Sequence, residues 1–397
     1  MKRWLVAVLV VLPMAVALSP SPVRAQADYK RYFDEDNLPK VREIFVRGRY
    51  DIVLQICEYA RRRGQPSWEW RALHFESLAA MGRYEEAFEE AKATAERFQG
   101  NLGALLRLYR YFKTHGHGEE AAARLADLNA AARAVPKKER STLDLVHLGE
   151  AALILGADPS KVLEQYFGPA KAVKPKGREV PPGLFEAHLA SGRLAFEKED
   201  LKRAAEEYTA ALKLIPDDPE ALFGMAQALL PSDRETGVAY LEKTLAEAEL
   251  HFGALLLQAE SAINYERYEV AATLLGMVES INPRHPEAHA YRAILAELQG
   301  AGQAAFDRER AAALSVWKDN PAIDHLIGRV LSRKYRYEEG AEAQRRAIAL
   351  DPGFLPAKLH LALDYLRLGR VEEAWPLAKE AAAADPYNVL AYNLEVL

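Results

Sequence analysis

Residues Gly82 to Phe88 read GRYEEAF, and the chain keeps returning to that heptapeptide. It stands as GRYDIVL at 48–54, GHGEEAA at 116–122, ERYEVAA at 266–272, YRYEEGA at 335–341 and GRVEEAW at 369–375. The copies at 48, 82 and 116 are spaced by 34 residues, and so are those at 335 and 369. A fixed period of that length marks an array of supersecondary units, each unable to bury its apolar face without its neighbours.

The unit from Leu355 to Asn388 shows what the period contains. PAKLHLALDYLRLG carries Leu359, Leu363 and Leu366 on one helical stripe. Gly369 and Arg370 make a turn, and VEEAWPLAKEAAAADP forms a second helix with Ala374, Ala378 and Ala381 on one side. Pro386 closes the unit, because proline cannot continue a helix. Two antiparallel helices approach closely only where the contact side chains are small, so Ala362 is expected against Ala374 and Ala381. In the heptapeptide, glycine or a substitute makes the turn and the tyrosine covers the hairpin end. The carboxylates sit in the first turn of the second helix, where the helix dipole favours them.

This pattern resembles the tetratricopeptide repeat, a helix-turn-helix unit with small residues on both helices and a proline near its end. Matching positions include Gly192, Ala204, Tyr208, Ala211 and Pro216; Ala259, Ala271 and Pro283; and Gly328, Ala347 and Pro352. Ten units follow, at 34–67, 68–101, 102–135, 144–177, 185–218, 219–251, 252–285, 286–320, 321–354 and 355–388. The early ones are degenerate, with Phe75 and Tyr109 in the small-residue place. The resemblance implies an all-α chain folded as a right-handed superhelical solenoid. KPKGREVPPG at 174–183 interrupts the helices, so the expected organisation is an N-terminal array at 26–177, a linker at 178–184 and a C-terminal array at 185–397. The stretch from Val389 to Leu397 begins another first helix and is apolar, which reads as a short cap or as an incomplete repeat of a longer protein.

The first 25 residues have another purpose. Lys2 and Arg3 precede an apolar run from Leu5 to Leu18, and small residues around Val23-Arg24-Ala25 suit signal-peptidase cleavage after Ala25. The run is shorter than the roughly 20 residues a spanning helix needs, so export to the periplasm or medium without stable membrane insertion is expected. Cleavage removes three of the 52 basic residues and none of the 57 acidic ones, taking the net charge from −5 to −8. An acidic mature chain argues against nucleic-acid binding. Its single cysteine, Cys57, falls on an apolar helix side and reads as a buried hydrophobe.

No HExxH, GxSxG, CxxC or phosphate-binding loop occurs, so no catalytic residue, cofactor or metal is expected. His285 and His289 are four apart, but Pro286 places His285 in an inter-repeat turn. The resemblance implies protein or peptide binding on a concave face lined by first helices. Two local sets of cations fall on that face: Arg107, Arg110 and Lys113, and His325, Arg329, Arg333, His360 and Arg367. They suggest contact with acidic segments of a partner. The lysine and asparagine clamp with which some family members hold chaperone tails is absent. The leading reading is a non-enzymatic scaffold. The alternative rests on an export signal ahead of a degenerate array containing DPSKVLEQYFGPA at 158–170, which looks like the front of large exported bacterial repeat proteins, some continuing into a zinc-peptidase-like domain.

The hairpin packing can be tested directly. Ala374→Leu should overpack the last hairpin and cost about 1–3 kcal/mol in urea unfolding; wild-type stability would place the helix crossing elsewhere.

Overall fold

The computed structural model describes residues 37–64, 67–138, 140–174 and 180–395, and every regular element among them is helical. The first helices of successive hairpins are α1 (Leu38–Val46), α3 (Trp68–Ala80), α5 (Leu102–Thr114), α7 (Thr142–Ile154), α9 (Leu184–Glu197) and α11 (Pro219–Leu229), then α13 (Phe252–Asn264), α15 (Pro286–Leu298), α17 (Pro321–Arg333), α19 (Leu355–Arg367) and α21 (Val389–Glu395). The second helices are α2 (Tyr50–Arg62), α4 (Tyr84–Arg97), α6 (Gly118–Ala134), α10 (Leu201–Leu214), α12 (Arg234–Glu247), α14 (Tyr268–Ile281), α16 (Gln303–Ala313), α18 (Tyr337–Leu350) and α20 (Val371–Ala384). In the fourth hairpin α8 runs over 159–171 and contains a π turn at Leu163–Phe167. Each of the ten expected units holds one hairpin, and α21 adds a half. The signal segment and part of the linker lie outside the described residues.

The sequence starts and stops these helices by local chemistry. Asp218 and Asn320 accept backbone N–H bonds from the first turns of α11 and α17, with Pro219 and Pro321 opening the helices. Between the paired helices the chain passes through the left-handed region at Gly48, Gly82, Gly116, Gly156 and Gly369. Glu199, Glu266 and Tyr335 take the same conformation in their hairpins, so the substitutes for glycine do make the turn.

Small residues then set the helix crossing. Ala362, Ala374, Ala378 and Ala381 share one buried cluster. In the ninth hairpin the backbones approach so closely that a Cβ on Gly328 would lie 2.8 Å from the Gly340 carbonyl oxygen. The apolar core also crosses the segment read as a linker: Val146, Val162 and Phe167 on one side pack with Ala187, Ala190 and Leu194 on the other. Cys57 is buried, and burial pushes its thiol up.

First helices touch their successors, whereas second helices make no comparable contact with one another. The stack therefore curves with first helices inside, as a superhelical solenoid. Its winding is tight enough for one superhelical turn to rest on the next. Tyr50 packs its ring 5.3 Å from Phe252, and the Asn282 amide donates to the Tyr84 hydroxyl at 2.9 Å. Arg284 reaches Glu85 at 2.9 Å, and Lys198 reaches Asp385 at 2.7 Å. A Cβ at Gly116 would lie 2.4 Å from Trp317, so the third turn needs glycine for space as well as for its φ of 81°. Tyr84 packs into the apolar cluster of its own hairpin and Tyr50 onto Phe45 of its own, and both have a second task. At 50 and 84 they hold the following superhelical turn.

Asn282 is the buried link in this contact, at 1% exposure. Asn282→Ala leaves the Tyr84 hydroxyl without its donor and should cost about 1–3 kcal/mol in urea unfolding. An unchanged midpoint would mean that the two turns do not rest on each other in solution.

Candidate functional site

The concave surface forms a lumen in which side chains from first helices face one another across the superhelix. The field of Glu220 on α11 reaches Arg107 on α5, three hairpins away, and that of Glu186 on α9 reaches Arg42 on α1. Its walls alternate carboxylates and cations.

Most of the cations singled out from the sequence are answered inside the chain. Arg107 donates to Glu76 at 3.2 Å, and Arg110 lies 2.7 Å from Glu150, which Arg193 also approaches at 3.5 Å. Lys113 is exposed and has no ion partner among the described residues. On α17, Arg329 forks onto Glu260 with contacts of 3.0 and 2.6 Å, and Arg333 donates to the same carboxylate. The Tyr291 hydroxyl adds a 2.6 Å hydrogen bond, so one buried carboxylate on α13 ties together α13, α15 and α17. Burial alone would raise the Glu260 carboxyl, but Arg329 and Arg333 overcome it and hold it below its usual range. Arg367 lies 3.5 Å from Asp364. A second buried carboxylate, Asp324, is held by Arg310 and Arg346.

The two histidines of the second set carry no charge at neutral pH. Burial pushes His325 down to about 4, and its Nδ1 lies 2.9 Å from the Gln344 side-chain oxygen. His360 packs edge-on at 5.0 Å from His325 and is held well below its ordinary value by burial, that neighbour and the surrounding arginines. The two sets remain separate, one on α5 and one on α17 and α19. Lys113 apart, neither is a bare cationic surface, which weakens the electrostatic basis for preferring an acidic partner.

His285 and His289 do not converge. The His285 side chain accepts from Ala288 N at the start of α15, while His289 lies 3.0 Å from Glu309 and 2.9 Å from the Pro283 carbonyl. Among the described residues no group of three or more histidine, cysteine or carboxylate side chains is placed to hold a metal, and no helix is long and apolar enough to cross a membrane.

A family model described as tetratricopeptide repeat matches residues 185–218, which is the hairpin of α9 and α10. Those residues form a tetratricopeptide repeat, and the same helix-turn-helix hairpin recurs along the array. No curated protein matches it. Among solved structures it is similar to the APC/C hetero-tetramer Cut9–Hcn1, at 11% identity, covering 94% of this chain and 72% of that one with a TM-score of 0.51. Yeast Tom70 matches at 14% identity, covering 94% and 96% with a TM-score of 0.42. A tetratricopeptide repeat protein from Parabacteroides merdae matches at 15%, covering 65% and 98% with a TM-score of 0.43. At such identities the likeness concerns the fold.

Within this lumen, residue types marked the cations but not their counterions. A signal was available. Glu260 and Arg329 are 69 residues apart, two repeat lengths, and therefore occupy the same place on alternate first helices. Glu76 and Arg107, like Glu260 and Tyr291, are 31 apart, one turn of helix short of a repeat.

The neutral histidines give this protein a pH signature. As pH falls below 6.5, unfolded chains take up protons that folded His325 refuses until about 4, so stability falls across that window. Asp364, pushed up to about 6 by burial, works in the opposite direction, because its folded form gains a proton before the unfolded chain does. The variant with both His325→Asn and His360→Asn should show a shallower fall of Tm below pH 6.5 than the wild type. An equal slope would mean that both imidazoles titrate normally.

Proposed function

We propose that this protein is a non-enzymatic receptor for extended polypeptide, acting outside the cytoplasm. The supporting observation is the lumen itself, a continuous concave wall of first helices whose polar side chains face inward. Such a surface buries a chain along its length and needs no moving part. The ion pairs within it favour this reading: they fix the guanidinium and carboxylate groups in place before a partner arrives, which lowers the ordering cost of binding. The export-type segment at its start supports the location.

A photo-cross-linker tests the reading in the source organism. Benzoylphenylalanine in place of Thr114, on the lumen side of α5, should give discrete polypeptide adducts, and the same residue in place of Lys243, exposed on α12, should give none. Equal labelling from both positions, or none from either, would contradict a lumen receptor. The mass of the unlinked band reports on the alternative. A native polypeptide far heavier than 44.3 kDa would make the array the substrate-presenting arm of a larger exported hydrolase.

A further inference from the structure

Where one superhelical turn rests on the next, a cavity of about 370 Å³ opens from the lumen between the second and third hairpins and the seventh to ninth. Tyr84, Tyr111, Phe252 and Trp317 supply aromatic walls. No lysine or arginine lines it. Its two histidines, His115 and His285, are both held below their ordinary value by burial, His285 down to about 4, so the cavity contains no cation at neutral pH.

Its carboxylates differ from each other. Glu76 is already engaged by Arg107. Glu287, in the first turn of α15, has neither an ion pair nor a side-chain hydrogen bond among the described residues. The field of Arg329 reaches it, but the Nη donors of Arg329 are committed to Glu260. Glu287 is exposed to solvent in the lumen, with the surrounding walls raising its carboxyl, whereas the buried Glu260 and Glu150, which do have arginine partners, are lowered. A second polar group also lacks a partner. The Tyr111 hydroxyl is buried on a residue only 4% exposed, and nothing hydrogen-bonds to it.

Aromatic faces and an unpaired carboxylate share one complement. A cation is drawn to both, whereas an anion is repelled by the carboxylate and a hydrocarbon leaves it unanswered. The volume lies at the small end of ligand pockets and accommodates a single long side chain with some water. From the juxtaposition of Glu287 with these aromatic walls, we infer that the cavity receives a lysine or arginine side chain of a polypeptide lying in the lumen. This deepens the receptor reading and reverses the sign of the partner suggested by the sequence.

Fluorescence polarisation with three labelled dodecapeptide pools tests it. The pools are randomised among uncharged residues except at one central position, fixed as Arg, Ala or Glu. The Arg pool should bind at least fivefold more tightly than the Ala pool, with the Glu pool weakest. Glu287→Gln should remove the Arg advantage at unchanged Tm, and Trp317→Leu should reduce it. Equal binding of the Arg and Ala pools to the wild type, or an Arg advantage that survives Glu287→Gln, would overturn the cavity assignment and leave the receptor reading standing. Binding of no pool would overturn both. Arginine amide competing as strongly as the Arg pool would make this a site for a free small cation and overturn the polypeptide assignment.

Discussion

The organisation of this molecule depends on a contact between residues almost two hundred positions apart. Tyr84 begins the second helix of the second hairpin, and Asn282 stands in the loop that closes the seventh; their side chains meet at 2.9 Å. Neighbouring pairs repeat the arrangement, with Tyr50 on Phe252, Gly116 under Trp317 and Lys198 on Asp385. An α-solenoid is ordinarily held only by nearest-neighbour interfaces, so its stability is close to a sum over units. Here each turn also rests on the next, which adds long-range contacts to that sum and narrows the lumen until opposing first helices feel each other's charge.

That narrowing decides how the charges are used. A cation on an open concave face can remain solvated and wait for a partner. Inside a narrow lumen it lies within range of carboxylates on the adjoining first helices, and desolvation makes an unpaired charge costly. Arg329 and Arg333 therefore settle on Glu260, and Arg110 on Glu150. The histidines respond by staying neutral. Glu287, like Lys113, is exposed to solvent and carries no ion pair, and it lies in the cavity created by the contact between turns.

The sequence made the hairpins legible because their causes are local. Glycine in a left-handed turn, alanine at a helix crossing and proline after a helix each leave a mark at a fixed offset, and all of them recur at the repeat spacing. The superhelical pitch leaves no such mark, since it follows from a small rotation per unit that accumulates over half the chain. Tyr84 consequently read as the cover of its own hairpin, which it is, and not also as the link to Asn282, and the partnership of Tyr111 with Trp317 in one cavity could not be anticipated from residues 206 positions apart. The π turn at Leu163–Phe167 was equally silent, because the segment's composition suits an ordinary helix. Among the site residues, the cations were visible as residue types on the correct helices. Their neutralisation depended on register between neighbouring first helices, which the repeat spacing does encode for Glu260 and Arg329.

The most direct measurement is the distance between spin labels placed at Glu85 and Arg284, both partly exposed and paired across the two turns. Double electron–electron resonance on the full chain should give a single narrow distribution at the short end of its range, reflecting turns locked together. A broad distribution centred at long distance would mean that the superhelix is open in solution, and with it would go the narrow lumen, the shared carboxylate network across it and the cavity between its turns.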